Sequence, residues 1–190
     1  MSRRLGRAGL SRRAVNAGLL ALVTAPLLAC GGGDDPDPVM TVDANGVSSF
    51  SAASLAAQLS AYPLAPLSTA EAESLAFMRE EEQLAHDVYA VSATLWSPPL
   101  FANIAASEAT HAAAVKTLLD RYALPDPLAG LPSGSFATPA FQTLHDELVA
   151  TSRLSLIDAL KVGVQIEELD MRDIAAQMTG IDNADILMVY

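Results

Sequence analysis

The sequence predicts an all-α fold in which long helices pack as an up-down bundle. Of its 190 residues, 51% are hydrophobic and only 5% are aromatic, and the abundant alanine and leucine favour closely packed helices. Apolar residues recur at intervals of three and four in three long stretches, which is the spacing of one helix face. No stretch shows the strict alternation that is typical of a half-buried strand.

Residues 1–29 are predicted to be a signal peptide and not part of the fold. A basic start is followed by residues 14–29, which contain no charged side chain. This apolar run is too short to span a bilayer as a helix, and Gly18 and Pro26 interrupt it.

The predicted signal peptide ends at Leu27-Leu28-Ala29-Cys30, which resembles a bacterial lipobox, so we expect a lipid on Cys30. The alternative is a signal peptide with an incidental cysteine. Ser11-Arg12-Arg13 also resembles a twin-arginine start, which leaves the export route open. The lipid would anchor the protein in the cell envelope on the periplasmic side, and Gly31 favours the outer membrane of a Gram-negative host.

The charged residues are distributed unevenly about Cys30. All 22 acidic residues follow it, but only six of the 11 basic residues do. The exported part is therefore strongly acidic, which disfavours nucleic acid and anionic lipid as partners. Because binding to anionic lipid through charge is disfavoured, the lipid on Cys30 is the expected anchor. The single cysteine separately excludes a disulfide and a thiolate metal site within the chain.

The first predicted elements of the exported part are a linker and a long helix. Residues 30–67 are rich in Gly, Pro, Ser and Ala and are predicted to be a flexible linker that contains a short helix at 51–59. The helical domain is expected over residues 68–190. Ser68-Thr69-Ala70-Glu71 has the pattern of a capping box and predicts a helix over 69–93.

Three more helices are predicted: a cap followed by proline marks the start of the first two, and Thr179-Gly180 marks the end of the third. They span residues 98–123, 139–150 and 155–178. Asp182 or Asn183 would cap a last helix, which has only begun at Tyr190. The short connection between the first two long helices predicts antiparallel neighbours, and residues 124–154 are long enough to be a crossover.

Glu108 and His111 stand three residues apart on an apolar stripe of the second long helix. The rest of that stripe consists of Phe101, Ile104, Val115, Leu118 and Tyr122. Such a face should point into the core, where a carboxylate and an imidazole are costly to bury unless they are paired or bind a metal. An inward-facing Glu-x-x-His is half of the ligand set of ferritin-like di-metal bundles.

The other two long helices place carboxylates at comparable positions. In the first, Glu82 lies on the apolar stripe and Glu81 beside it, so Glu82 is favoured; the alternative is that the run from Glu80 faces solvent. In the third, Glu167 and Asp170 share an apolar face, and the alternative for Glu167 is an interhelix salt bridge.

These residues together predict a metal site in the bundle. The predicted ligands are Glu82, Glu108, His111 and Glu167, with Asp170 as a further or supporting ligand. Oxygen and nitrogen ligands suit iron or manganese, with zinc as an alternative, and bridging carboxylates would hold two ions. With iron, the site would reduce dioxygen or peroxide while oxidising ferrous iron. His86 and His145 are expected to be surface or structural residues.

Three segments show a recognisable pattern: LAFMREEEQLAHDVY at 75–89, FANIAASEATH at 101–111 and DALKVGVQIEELD at 158–170. Together they resemble the ferritin-like family catalogued as domain of unknown function 2202, over about residues 70–190. Glu82 and Tyr89 also resemble the first-helix pattern of rubrerythrin-type proteins. The resemblance implies a ferritin-like fold but no established reaction.

The chain departs from this family at its end. Members continue past the position of Tyr190 into a last helix with a histidine, so the resemblance implies a truncated chain, a bundle completed by a homodimer or another partner, or a degenerate site. Two hypotheses follow. The first is an exported lipoprotein with a di-iron or manganese site and ferroxidase- or peroxidase-type activity. The second is a non-catalytic interaction protein of the cell envelope, whose uncovered apolar faces bind a partner.

Overall fold

Six helices and a two-stranded hairpin make up the part of the chain that the structure, a computed structural model, describes; this part is residue 38 and residues 40–190. The elements are β1 (Met40–Val42), β2 (Ser48–Phe50), α1 (Ala52–Ser60), α2 (Thr69–Leu95), α3 (Leu100–Arg121), α4 (Pro139–Ser152), α5 (Leu156–Met178) and α6 (Ala184–Val189). They all fall within one unit of the chain. The all-α prediction is confirmed at the level of a mostly helical structure, while the predicted signal peptide and Cys30 lie outside the described residues.

The predicted helix limits agree with the structure to within two residues. The capping box of α2 is formed as predicted, because Ser68 Oγ accepts the backbone N–H of Glu71 and Glu71 Oε2 accepts that of Ser68. Helix α3 starts at Leu100 and not at residue 98. A residue that precedes a proline is disfavoured from helical geometry, which keeps Ser97 and Pro98 outside the helix.

Helix α2 lies between α3 and α5 and runs antiparallel to both. Met78 near its start shares an apolar cluster with Leu118 near the end of α3, whereas Val88 near its end shares one with Phe101 at the start of α3. Tyr89, also late in α2, hydrogen-bonds the early part of α5. The antiparallel packing of α2 and α3 agrees with the prediction from their short connection.

Glu71 joins the start of α2 to the start of α6. Its side chain is 3% exposed, and it accepts hydrogen bonds from the backbone N–H groups of Asp182 and Asn183 as well as from Ser68. Asn183 is the N-cap of α6. These bonds hold the pKa of Glu71 below its usual range, although burial acts in the opposite direction.

Two more buried carboxylates of α2 bind the long connection between α3 and α4. Glu80 accepts hydrogen bonds from the backbone N–H and the hydroxyl of Thr138, the N-cap of α4. Asp87 accepts hydrogen bonds from Ser133 and from the backbone of Gly134. The position of the connection is therefore set by polar groups on α2 and not by apolar contacts alone.

Residues 40–60, which lie in the predicted linker, form the hairpin and α1. The strands pair antiparallel with Met40 opposite Phe50, and Gly46 in the turn has a φ of 80°, which glycine adopts at little cost. The backbone N–H of Ser48 donates to Ser107 Oγ at 2.8 Å, so the hairpin lies against α3.

The short helix expected at 51–59 is found as α1, and it packs on the helical domain. Leu55 and Leu59 are 0% and 2% exposed and belong to the same apolar cluster as Met78 and Leu118. Among the described residues, no helix combines the length and the apolar character that crossing a bilayer requires.

We expect Glu71→Ala to lower the free energy of unfolding by roughly 1–3 kcal/mol, because it leaves several buried N–H groups without an acceptor. The matched control is Glu73→Ala, at an exposed position two residues further along the same helix. It should change stability by less than about 0.5 kcal/mol. Urea denaturation of the two variants measures both values. Equal losses in the two variants would contradict the assigned role of Glu71.

Candidate metal centre

Glu82, Glu108 and His111 converge in the structure on one point between α2 and α3. Each offers one ligand atom, and these atoms all lie within 4.8 Å of one another. His111 Nδ1 is 3.1 Å from Glu108 Oε2, a hydrogen-bond distance, and 3.5 Å from Glu82 Oε2, which is too long for one. Both carboxylates are buried, with exposures of 4% and 6%.

The local sequence explains why the three side chains meet. In α3, Glu108 and His111 are three residues apart and therefore share one helix face. In α2, Glu82 lies one turn after Met78, which is 1% exposed in the core, so its side chain follows the buried stripe. The antiparallel packing of α2 on α3 then brings the middle of each helix to the same level.

Asp170 of α5 lies at the edge of this group. It lines the same cavity as Glu82 and His111, and its charge acts on Glu82. Glu82 Oε2 and Asp170 Oδ1 are both buried and accept no hydrogen bond. Leaving such oxygens unpaired is costly, and a cation held by Glu82, Glu108 and His111 would satisfy the Glu82 oxygen, whereas Asp170 is not one of the residues whose ligand atoms converge. The residues present therefore fit a metal ion with oxygen and nitrogen ligands.

The pKa values of the group are those expected where excess negative charge is buried. Burial raises the pKa of Glu82, and the charges of Asp170 and Glu108 raise it further. Burial, followed by the charge of Glu108, raises the pKa of Asp170 to about 6. The hydrogen bond to Glu108 and the contact with Glu82 raise the pKa of His111. Without a cation, the site retains protons that a metal would displace.

Glu167, the fourth predicted ligand, is not one of the three converging residues and accepts a hydrogen bond from a tyrosine. Tyr89 donates its hydroxyl to Glu167 Oε1 at 2.7 Å, and the same hydroxyl lies 3.0 Å from the carbonyl oxygen of Gly163. The predicted close packing at Gly163 is present, because a Cβ there would lie 3.1 Å from the Tyr89 hydroxyl. Glu167 is otherwise exposed, and it forms no salt bridge in the described structure.

Glu81 is a second buried carboxyl group of this run, although the sequence favours Glu82 as the inward residue. It faces α5 on the other side of α2, beside Asp173 and Arg172. One of its oxygens has no hydrogen-bond partner. Burial, together with the charges of Asp173 and Asp170, raises the pKa of Glu81 to about 9. The sequence predicts one inward carboxylate in this run, with Glu82 favoured. In the structure Glu80, Glu81 and Glu82 are all buried.

The two remaining histidines lie away from the group of three. His86 Nδ1 is 2.8 Å from Asp87 Oδ1. His145 is buried on α4, where its ring lies 5.3 Å from that of Phe136 and Nδ1 is 3.1 Å from Asp146. Both histidines therefore have structural partners, as the sequence analysis expected of them.

A cavity of about 320 Å³ opens next to the candidate ligands. Glu82, His111 and Asp170 form one side of it. The imidazole of His111 is 33% exposed, whereas the side chains of Glu82 and Glu108 are 5% and 8% exposed. The histidine is thus the most accessible of the three converging residues.

The similarity to known proteins lies in the part of the chain that contains the candidate ligands. A family model described as an uncharacterized protein domain, DUF2202, matches residues 71–190. The chain is 46% identical over 132 residues to the uncharacterized protein MJ0754 of Methanocaldococcus jannaschii, a match that covers 70% of this chain and 71% of that protein. The crystal structure of hypothetical protein MJ0754 is similar with a TM-score of 0.66 and 46% identity, and the similarity covers 67% of this chain and 73% of the other.

We expect Glu81→Gln to stabilise the protein more at pH 8 than at pH 5. A carboxyl whose folded pKa is raised contributes stability that is complete below its ordinary value of 4.5 and is lost as the pH rises toward about 9. Glutamine removes this loss, so the melting temperature of the variant should exceed that of the parent only at the higher pH. Thermal unfolding at both pH values, with the exposed Glu73→Gln as control, measures the effect; an equal shift at both would contradict it.

Proposed function

This chain belongs to the DUF2202 family of uncharacterized protein domains, as its three sequence segments predict, and we propose that it binds iron or manganese in a ferritin-like bundle. The observation on which this rests is the convergence of Glu82, Glu108 and His111 within 4.8 Å, where Oε2 of Glu82 is buried without a hydrogen-bond partner. His111 supplies at most one positive charge to the two buried carboxylates of Glu82 and Glu108, so the second carboxylate must retain a proton or bind a cation.

The helix arrangement supports the ferritin-like part of the proposal. Helix α2 is antiparallel to both α3 and α5, and the connection between α3 and α5 is long and contains α4. The ligands come from facing helices, and Glu108 and His111 have the Glu-x-x-His spacing of di-metal carboxylate bundles. These features are the topology of the helices and the spacing of the ligands.

The residues have distinct roles in the proposed site. Glu82 and Glu108 supply negative charge from two helices, and His111 supplies nitrogen once it has lost its proton. Asp170 either binds a second ion or compensates the first from α5. Bound iron would supply one-electron chemistry toward dioxygen or peroxide, which is the ferroxidase- or peroxidase-type reaction that we assign to the site. Tyr89 holds Glu167 beside the proposed site by donating a 2.7 Å hydrogen bond to it.

The cellular part of the proposal comes from the sequence before residue 38. A lipid on Cys30 would anchor the domain in the cell envelope on its periplasmic side, with the outer membrane favoured. The residues between Cys30 and the hairpin are rich in glycine, proline and aspartate, and they would serve as the tether.

A second candidate function, a non-catalytic interaction protein, is favoured by the outer face of α5. Ile157, Val164 and Met171 on this helix are 64%, 59% and 65% exposed, and they recur at helical spacing. Such a stripe is a surface that a homodimer or another partner would cover. Glu167 lies in the same exposed region, so a partner there would also change the surroundings of the metal site.

The test is metal content. We expect the full chain, purified without chelators, to contain one or two equivalents of iron or manganese by mass spectrometry. Glu108→Ala should lower occupancy at fixed metal concentration by about tenfold or more, because it removes one ligand and the hydrogen-bond partner of His111. Glu168→Ala, an exposed glutamate of α5, is the control and should leave the content unchanged. Equal metal content in both variants would exclude the assignment and favour the interaction protein.

Metal affinity should increase with pH. Glu82, Asp170 and His111 all have raised pKa values, so each retains a proton at a pH where the free side chain would have lost it, and metal binding must displace it. Calorimetric titration with Mn²⁺ in two buffers of different ionisation enthalpy counts the protons released. We expect net release near pH 6.5 and tighter binding at pH 8; uptake of protons, or an affinity independent of pH, would contradict the model.

A further inference from the structure

The cavity beside the candidate ligands has two chemically different ends. One end consists of Glu82, His111 and Asp170, and most of the remaining wall is apolar. The apolar part includes Phe50, Leu55, Met78, Ile174 and Met188. A volume of about 320 Å³ is at the lower end of the range for small-molecule sites, in which apolar walls and a few convergent polar groups are typical.

The charge of the polar end restricts what can bind. The carboxylates of Glu82 and Asp170 line this end together with one imidazole, and the carboxylate of Glu108 hydrogen-bonds that imidazole. One divalent ion would leave this group close to neutral or negative. An anionic head group would therefore be repelled, and an uncharged one would be accepted. The apolar walls similarly exclude a molecule with a charge at its other end.

Part of the apolar wall comes from outside the family match. Met40 and Phe50 lie on the hairpin and Leu55 on α1, whereas the matched region starts at residue 71. The hairpin is fixed on α3 by Ser48, whose backbone hydrogen-bonds Ser107 and Thr110. Thr110 is the residue before His111, so the apolar wall and the candidate ligand are tied to one turn of α3.

From this geometry we propose that the cavity binds a small, uncharged and largely apolar organic molecule with one hydroxyl group, such as a phenol. The hydroxyl lies at the end formed by Glu82, His111 and Asp170, and the hydrocarbon part lies against the hairpin, α1 and α6. The position of the hydroxyl rests on the proposed metal site, whereas occupancy of the apolar part does not. The hairpin and α1 set the size of molecule that this chain accepts.

The experiment uses 4-methylphenol as the probe and the full chain loaded with Mn²⁺. Because Mn²⁺ is paramagnetic, a probe bound beside it shows broadened proton resonances. We expect broadening that increases toward the hydroxyl, and binding of 4-methylbenzoate at least tenfold weaker. Ala114→Met places a larger side chain in the cavity wall and should weaken probe binding at least tenfold with metal content unchanged. Ala113→Met, the exposed neighbour on α3, should have no effect.

The outcomes separate this inference from the proposed function. Equal binding to the Ala113 and Ala114 variants, or no binding to a chain that contains its metal, overturns the cavity proposal alone. If Mn²⁺ does not bind, the proposed function fails, and chemical-shift changes of the metal-free chain with 4-methylphenol still decide the cavity. If Ala114→Met does not fold, Met188→Phe fills the same space from α6. Preference for the benzoate over the phenol would also overturn the proposal.

Discussion

The arrangement of the whole domain depends on the carboxylates that α2 buries. Five acidic side chains of this helix are buried: Glu71, Glu80, Glu81, Glu82 and Asp87. Burying a carboxylate is unfavourable without compensation, so each one requires a partner from another element. Glu71 accepts a hydrogen bond from the start of α6, Glu80 accepts one from the N-cap of α4, and Asp87 accepts one from the loop before α4. Glu82 alone lies opposite a histidine and a second carboxylate, and this difference distinguishes the candidate metal centre from the structural contacts.

Local sequence signals were sufficient for the helices and for the centre of the site. The capping box at Ser68, the stop at Gly180 and the three-residue spacing of Glu108 and His111 are each decided within one or two helical turns, so they can be read without knowledge of the fold. The hairpin was missed because its strands have three residues each, which is too short for an alternation to be visible. Asn45-Gly46, a common pair in hairpin turns, was the one signal that could have indicated it.

The rest of the site depends on how helices are rotated against each other, which spacing does not determine. Glu167 and Asp170 lie on one face of α5, yet Glu167 binds the hydroxyl of Tyr89 while Asp170 lines the cavity. The burial of Glu80 and Glu81 has the same origin. Three consecutive residues point in directions about 100° apart on a helix, so all three are buried only because α2 is covered on several sides. On a helix packed against a single neighbour, a run of three glutamates would have included residues that face water.

The link from Glu71 to Asn183 has a consequence for how the domain assembles and opens. It joins residues 112 positions apart, and such distant contacts form late in folding because the chain between them must be ordered first. Helix α6 has six residues, and other contacts hold it as well: Asp185 accepts hydrogen bonds from Arg121 and Tyr122 at the end of α3, and Ile186 is 0% exposed in the core. Its release as a local unit therefore requires these contacts to break together with the link. Met188 and Tyr190 are part of the cavity wall. Release of α6 would therefore expose the cavity, and the combined strength of these contacts would control exchange between the cavity and the solvent.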